Sequence, residues 1–76
     1  MTGTLDDAQS LTGEEIVRLT LRTEDGLVPF EVEDPKFAAG GLTATEIRSR
    51  VRKQVTIEFR EENGTRIALR VTDPAP

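Results

Sequence analysis

The sequence predicts a single α+β domain in which two β-hairpins flank one short helix, in the order ββαββ. Three observations lead to this prediction: period-two alternation of apolar residues in four segments, a glycine-containing turn within each pair of segments, and one capped segment with helical spacing. We therefore expect a flexible N-terminal tail at 1–13, a single ββαββ domain at 14–73 and a C-terminal tail at 74–76.

The first predicted hairpin runs from Glu15 to Glu33. Its strands alternate apolar and polar residues, as expected when one face is buried and the other is hydrated. Asp25-Gly26 predicts a turn with positive φ. Pro29 has no amide hydrogen, which predicts that the second strand lies at a sheet edge. The apolar rows are Val17, Leu19 and Leu21 in one strand and Val28, Phe30 and Val32 in the other.

A short helix is predicted from Thr43 to Gln54. Thr43 and Glu46 have the spacing of a capping box, in which each side chain satisfies the other residue's backbone amide. Three apolar residues recur at helical spacing and predict the buried face, namely Ala44, Ile47 and Val51. The remaining positions carry the bases Arg48, Arg50, Arg52 and Lys53.

The second predicted hairpin runs from Val55 to Thr72 and turns at Asn63-Gly64, a dipeptide that strongly favours a two-residue hairpin loop. Its apolar rows are Val55, Ile57 and Phe59, followed by Ile67, Leu69 and Val71. Joining the apolar rows of both hairpins and the helix predicts one core, which contains Val17, Leu19, Phe30, Ile47, Ile57, Phe59 and Leu69.

These elements predict a two-layer fold, with a four-stranded sheet and the helix across one face. A right-handed crossing favours the first and last strands as parallel neighbours, in the order 2-1-4-3. This order is similar to the β-grasp topology of ubiquitin-like and immunoglobulin-binding bacterial domains, and the similarity concerns topology only. Ubiquitin-like modifiers end in Gly-Gly and this sequence does not, which disfavours a conjugation role. The shortness of the helix leaves a simple antiparallel order open.

The composition argues against most site chemistries. The chain has no cysteine and no histidine, which removes the commonest metal ligands and the commonest general base. The candidate nucleophiles Ser10 and Ser49 have only carboxylates as possible bases, and they lie in the predicted tail and on the exposed helix face. We therefore expect no enzymatic activity, no cofactor and no metal site. No basic-then-apolar leader and no membrane-spanning apolar stretch is present, which predicts a soluble, cytoplasmic protein.

The charges are unevenly distributed along this acidic chain, whose net charge is −4. Residues 1–34 carry nine acids and two bases, whereas residues 35–76 carry eight bases and five acids. The arginines are the best candidates for contacting a partner. The candidate partner-binding residues are Arg48, Arg52, Lys53, Arg18, Arg22, Arg60 and Arg70. The alternative is a hydrated face on which arginines pair across strands with Glu31, Glu33 and Glu58.

The favoured functional hypothesis is a small non-enzymatic protein–protein interaction module or an inhibitor-like accessory protein. Such a protein would bind an unidentified protein partner through a sheet edge, the arginine-bearing face or the N-terminal tail. The alternative is a nucleic-acid-associated protein that uses the helix arginines, although the scarcity of aromatic residues argues against base stacking. Pairing of two copies through strand 55–61, which has no proline, is also left open, and no membrane partner is expected.

Overall fold

The computed structural model describes residues 1–12, 15–37 and 40–74 of the 76-residue chain. These residues form a closed five-stranded barrel with one very short helix. The predicted C-terminal tail lies mostly outside the described residues. The strands are β1 (Thr2–Thr12), β2 (Glu15–Thr23), β3 (Gly26–Val32), β4 (Gln54–Glu62) and β5 (Thr65–Thr72), and the helix α1 spans Ala44–Arg48.

The barrel shows that the predicted four-stranded α+β sheet is wrong. The strand order is β1-β2-β3-β5-β4, and β4 meets β1 to close the barrel. Both predicted hairpins are present, but the parallel neighbours are β3 and β5, which pair at Glu31–Ile67 and Val32–Ala68. The physical reason is the extra strand: β1 takes the place beside β2 that the β-grasp order gave to β5, so β5 lies beside β3 instead.

This topology has a known counterpart. Neighbouring strands are antiparallel except for β3 and β5, and the helix lies between β3 and β4 along the chain. A five-stranded Greek-key barrel is also the architecture of the oligonucleotide/oligosaccharide-binding (OB) class. Because one fold supports many functions, the topology does not by itself assign a function to this chain.

The segment 1–13, predicted to be a flexible tail, forms strand β1 over Thr2–Thr12. β1 pairs with β2 along most of its length and with β4 near its start. Leu5 is fully buried in the core. Gly3 permits a close approach to β2, because a Cβ there would lie 2.6 Å from the carbonyl oxygen of Arg22.

The core occupies the barrel interior and the end covered by α1. Of the seven residues predicted to form it, Leu19, Phe30, Ile47 and Ile57 are buried, whereas Val17, Phe59 and Leu69 are only half-buried. In β5 the cause is a bulge: Glu58 faces Arg70 and Phe59 faces Ala68, which leaves Leu69 as the extra residue. Among the residues whose burial is described, the buried ones are Leu5, Ile16, Leu19, Leu21, Phe30, Phe37, Leu42, Ala44, Ile47, Val55, Ile57, Ala68 and Val71.

The turns set the register of the two hairpins. Asn63 (φ 52°) and Gly64 (φ 80°) form the predicted two-residue loop, closed by the pair Glu62–Thr65. In the first hairpin Glu24 and Asp25 occupy the turn, which lies one residue earlier than the predicted Asp25-Gly26 turn. Gly26 (φ 112°) is therefore the first residue of β3. Pro29 was predicted to place its strand at a sheet edge, but β3 has neighbours on both sides in the closed barrel. Because β5 pairs with β3 only at positions 31 and 32, the absence of an amide hydrogen on Pro29 interrupts no β3–β5 pairing.

Helix α1 is shorter than predicted. The capping box is confirmed: the Glu46 amide donates to the Thr43 hydroxyl (3.2 Å) and the Thr43 amide donates to the Glu46 carboxylate (3.1 Å). The helix ends at Arg48 with Ser49 as its C-cap, and residues 49–53 continue as turns rather than as helix. Ala44 and Ile47 are buried, so α1 fixes one end of the barrel and positions the bases that follow it.

Candidate functional site

The strand arginines predicted to contact a partner are paired with carboxylates of the same chain. Arg18 lies 3.0 Å from Glu31, Arg22 lies 2.9 Å from Asp6, and Arg70 lies 2.6 Å from Glu58. Arg60 lies 2.6 Å from Glu33 and 2.9 Å from Glu62. The contacts therefore include each pairing that the sequence gave as the alternative to a binding face, with Glu31, Glu33 and Glu58.

These ion pairs leave little uncompensated positive charge on the strands. The side chains of the paired arginines keep between 42% and 60% of their surface exposed, so each pair contributes little to stability. Their importance here is electrostatic, because a carboxylate already beside the guanidinium competes with any incoming anion. Whether these four arginines contact a partner stays a prediction.

The bases at and beyond the end of α1 form a separate surface, which we call the basic turn (Arg48, Arg50, Arg52 and Lys53). Its backbone is attached to strand β1 by two hydrogen bonds: the Arg52 amide donates to the Leu5 carbonyl (2.7 Å), and the Leu5 amide donates to the Lys53 carbonyl (2.9 Å). Because Leu5 is fully buried, these bonds hold the turn against the barrel. The side chains of Arg52 and Lys53 are exposed.

Arg52 has a backbone conformation that non-glycine residues rarely adopt, with φ at 74°. Such a conformation costs on the order of 1–3 kcal/mol and persists where the surroundings enforce it, often at functional positions. The hydrogen bonds to Leu5 enforce it here. An arginine at a position that suits glycine is consistent with a role for its side chain.

The charges in the basic turn are only partly compensated. Arg50 is paired with Asp73 at 2.8 Å, and this hydrogen bond is the main cause that lowers the pKa of Asp73. Lys53 also lowers the pKa of Asp73, but more weakly and without an ion-pair contact. The side chain of Arg52 makes no hydrogen bond or ion pair with another described residue. Sequence reasoning found these bases but missed the partner of Arg50, since Asp73 lies 23 residues further along the chain, just after β5.

The barrel surface has grooves, two of which lie near the turns of the hairpins. One has a volume of about 740 Å³ and is lined by the start of β1, the β2–β3 turn and Arg66, while the other has a volume of about 210 Å³ and lies between β3 and the β4–β5 turn. The carboxylates whose pKa is lowered, Glu58 and Asp73, line neither groove. No cluster of three acidic, histidine or cysteine side chains suited to a metal ion occurs among the described residues.

The ion pairs predict a loss of stability in acid. The Arg70 guanidinium lowers the pKa of Glu58 by hydrogen bonding, and Arg50 does the same to Asp73. A folded-state pKa below the unfolded value adds stability above the unfolded value, near pH 4, and this stability is lost as the pH falls through the folded value. Urea denaturation at pH 5, 4 and 3 should therefore show a shallower acid decline in Glu58→Gln/Asp73→Asn than in wild type. Glu24→Gln, which removes an acid with no ion pair in the described chain, should keep the wild-type decline, and equal declines in all three proteins would contradict the prediction.

No protein-family model matches the chain, and neither a curated protein nor a solved structure is significantly similar to it. Within the described part of the chain, no helix is long and apolar enough to cross a membrane. A function for this chain is therefore inferred from the barrel and from the basic turn.

Proposed function

We propose that this chain is a small non-enzymatic module that binds an acidic segment of a partner protein through the basic turn. The observation that carries the proposal is Arg52: its exposed cation has no partner among the described residues, and its strained backbone is held in place by Leu5. Lys53 follows it directly, and Arg48 and Arg50 lie in the same turn, where Arg50 is paired with Asp73. Such a surface favours a short, negatively charged peptide segment.

The other surfaces that the sequence suggested support the proposal less well. The predicted N-terminal tail is strand β1, and β1 covers the first part of β4. The strand arginines already have carboxylate partners.

A cytoplasmic location belongs to the same proposal, and fractionation of native cells followed by immunoblotting tests it.

Nucleic acid is the alternative ligand for the same bases, and the structure supports it less well despite the OB topology. Single-strand binding combines an extended positive groove with exposed aromatic rings on which bases stack. Here Phe30 and Phe37 are buried, Phe59 packs against Phe30, and the chain has no tyrosine or tryptophan. The acidic remainder of the surface would also repel a long phosphate backbone, whereas a short acidic peptide need cover only the basic turn.

Removing two cations of the basic turn should weaken binding of an acidic peptide without harming the fold. In Arg52→Gly/Lys53→Gln, glycine accepts the positive φ, so the free energy of unfolding should stay within about 1 kcal/mol of wild type. Loss of two exposed charge contacts should weaken binding by about tenfold. The measurement is fluorescence anisotropy of a labelled 16-residue oligoglutamate in low salt, with thermal unfolding of each variant.

The matched control is Arg18→Gln/Arg60→Gln, which also removes two cations, one from β2 and one from β4. It should weaken oligoglutamate binding clearly less than Arg52→Gly/Lys53→Gln, because it leaves the basic turn intact and frees only Glu31, Glu33 and Glu62, the carboxylates paired with these two arginines. Equal weakening in both variants would mean that net charge alone controls binding and would overturn the proposal. A single-stranded 16-mer of deoxythymidine that binds more tightly than oligoglutamate, with the same loss on Arg52→Gly/Lys53→Gln, would instead establish the nucleic-acid alternative.

A further inference from the structure

Strand β4 is covered by β1 over only part of its length. The pairing runs from Thr4–Gln54 to Thr2–Thr56, and Met1 then exchanges two hydrogen bonds with Ile57: the Ile57 amide donates to the Met1 carbonyl (2.7 Å) and the Met1 amine donates to the Ile57 carbonyl (2.8 Å). From position 58 to 62, β4 pairs with β5 but with no strand on its other side among the described residues. This five-residue segment is the open edge (Glu58–Glu62).

The backbone groups at the open edge have a defined direction. In an antiparallel ladder, the amide and carbonyl of every second residue face the same neighbour. Ile57 faces β1, so the backbone groups of Phe59 and Glu61 face the uncovered side. The pair Glu62–Thr65, which closes the two-residue turn, fixes the same alternation from the other end. The amides and carbonyls of Phe59 and Glu61 are therefore four backbone groups that could bind a further strand, beyond the last β1–β4 hydrogen bonds at Ile57.

We propose that an extended, basic segment of a partner protein adds to the open edge as a sixth strand, antiparallel to β4 and in line with β1. Strand addition uses backbone hydrogen bonds for affinity and side-chain pairs for selectivity. The proposal concerns a different surface from the basic turn and does not depend on it.

The side chains of the open edge select the charge of the added strand. The segment carries three carboxylates and one guanidinium. Glu61 keeps 61% of its side chain exposed and is 3.8 Å from the Nε of Arg66, a buried atom that has no hydrogen-bond partner among the described residues. Glu58 and Glu62 are already paired with Arg70 and Arg60, so Glu61 is the carboxylate with which lysine or arginine of the added strand would pair. An apolar residue would suit the position opposite half-buried Phe59.

The same side chains disfavour a second copy of this chain as the added strand. Antiparallel pairing of two open edges about Arg60 would place Arg60 opposite Arg60 and Glu58 opposite Glu62. Like charges placed directly opposite each other destabilise a strand pair. The homodimer that the sequence left open through strand 55–61 is therefore a less favourable occupant than a basic segment.

The test uses the acetylated and amidated peptide Thr-Lys-Lys-Thr-Val-Lys, in which valine would face Phe59 and the second lysine would face Glu61. On binding to the ¹⁵N-labelled full chain, amide hydrogen exchange should slow by at least about fivefold at Phe59 and Glu61 and change little at Arg60 and Glu62, which face β5. Protection elsewhere, or a concentration-dependent dimer of the protein alone that protects the same two amides, would overturn the proposal.

Two matched comparisons separate strand addition from simple charge attraction. The same peptide N-methylated at valine has the same charge but cannot donate to the Phe59 carbonyl, so its affinity should fall by at least about tenfold. Glu61→Lys should weaken the unmodified peptide by about fivefold or more, whereas Glu24→Lys, the same charge reversal in the other hairpin turn, should leave its affinity within about twofold. Equal binding of the methylated and unmodified peptides, or equal losses in the two variants, would contradict the added strand.

Discussion

Replacing Leu5 with alanine is expected to lower the free energy of unfolding by about 2–5 kcal/mol. Leu5 has no exposed surface and belongs to the core cluster, and its backbone holds the basic turn. Natural domains have about 0.05–0.15 kcal/mol of stability per residue, so this loss would remove a large part of the stability of a 76-residue chain. Urea denaturation followed by circular dichroism measures it.

The control for this prediction is Gln9→Ala, an exposed position in the same strand. It should change the free energy of unfolding by no more than about 0.5 kcal/mol. If Leu5→Ala were as harmless as Gln9→Ala, the N-terminal segment would not belong to the barrel core, and the five-stranded fold would be wrong.

The N-terminal strand shows why the sequence did not predict the barrel. β1 has irregular pairing with β2, with register shifts between Leu5 and Asp7 and on both sides of Ser10. Bulges break the period-two alternation on which strand prediction depends. Between Leu5 and half-buried Ala8, the inward positions are three residues apart rather than two. A segment with adjacent acids and no alternation of apolar and polar residues therefore predicts a tail, although this one forms the strand that completes the barrel.

Local features were predictable where they depend on neighbouring residues. The Asn63-Gly64 loop and the Thr43 capping box each depend on a few adjacent residues, and both are confirmed. The strand order was not predictable in the same way, because it depends on whether a fifth strand exists. Once β1 was missed, a four-stranded sheet with β5 beside β2 became the simplest arrangement.

In the candidate site, too, local features were predictable and long-range contacts were not. The positions of the basic residues around α1 follow from the sequence, but their compensation depends on distant residues. Arg50 is paired with Asp73, which lies just after β5. On the strands, Arg22 is paired with Asp6, which was predicted to lie in a tail. The positive φ of Arg52 has no sequence signal, since arginine does not favour that conformation. The contrast between paired and unpaired bases, on which the proposed function depends, is therefore visible only in the fold.

Phe30→Ala is expected to lower the free energy of unfolding by about 3–5 kcal/mol. The Phe30 side chain is 1% exposed and contacts Phe59 edge-to-face, with ring centroids 5.4 Å apart. Phe59 is only half-buried, so Phe59→Ala should cost less, about 1–3 kcal/mol, because part of its ring already contacts water. Chemical denaturation of the two variants measures both losses.

The order of the two losses distinguishes the barrel from the predicted four-stranded sheet. That sheet places both rings equally inside the core and predicts similar losses, whereas the barrel predicts a clearly larger loss at Phe30. The double variant should show a coupling of about 0.5–1.5 kcal/mol, as expected for an edge-to-face aromatic pair. Phe30→Leu and Phe59→Leu keep apolar volume while removing the ring pair, so they separate this coupling from cavity formation. A loss at Phe59 as large as that at Phe30 would contradict the burial that the barrel gives the two rings. A negligible loss at Phe59 would mean that β4 presents its other face to the core, and the direction assigned to the backbone of Phe59 at the open edge would also be wrong.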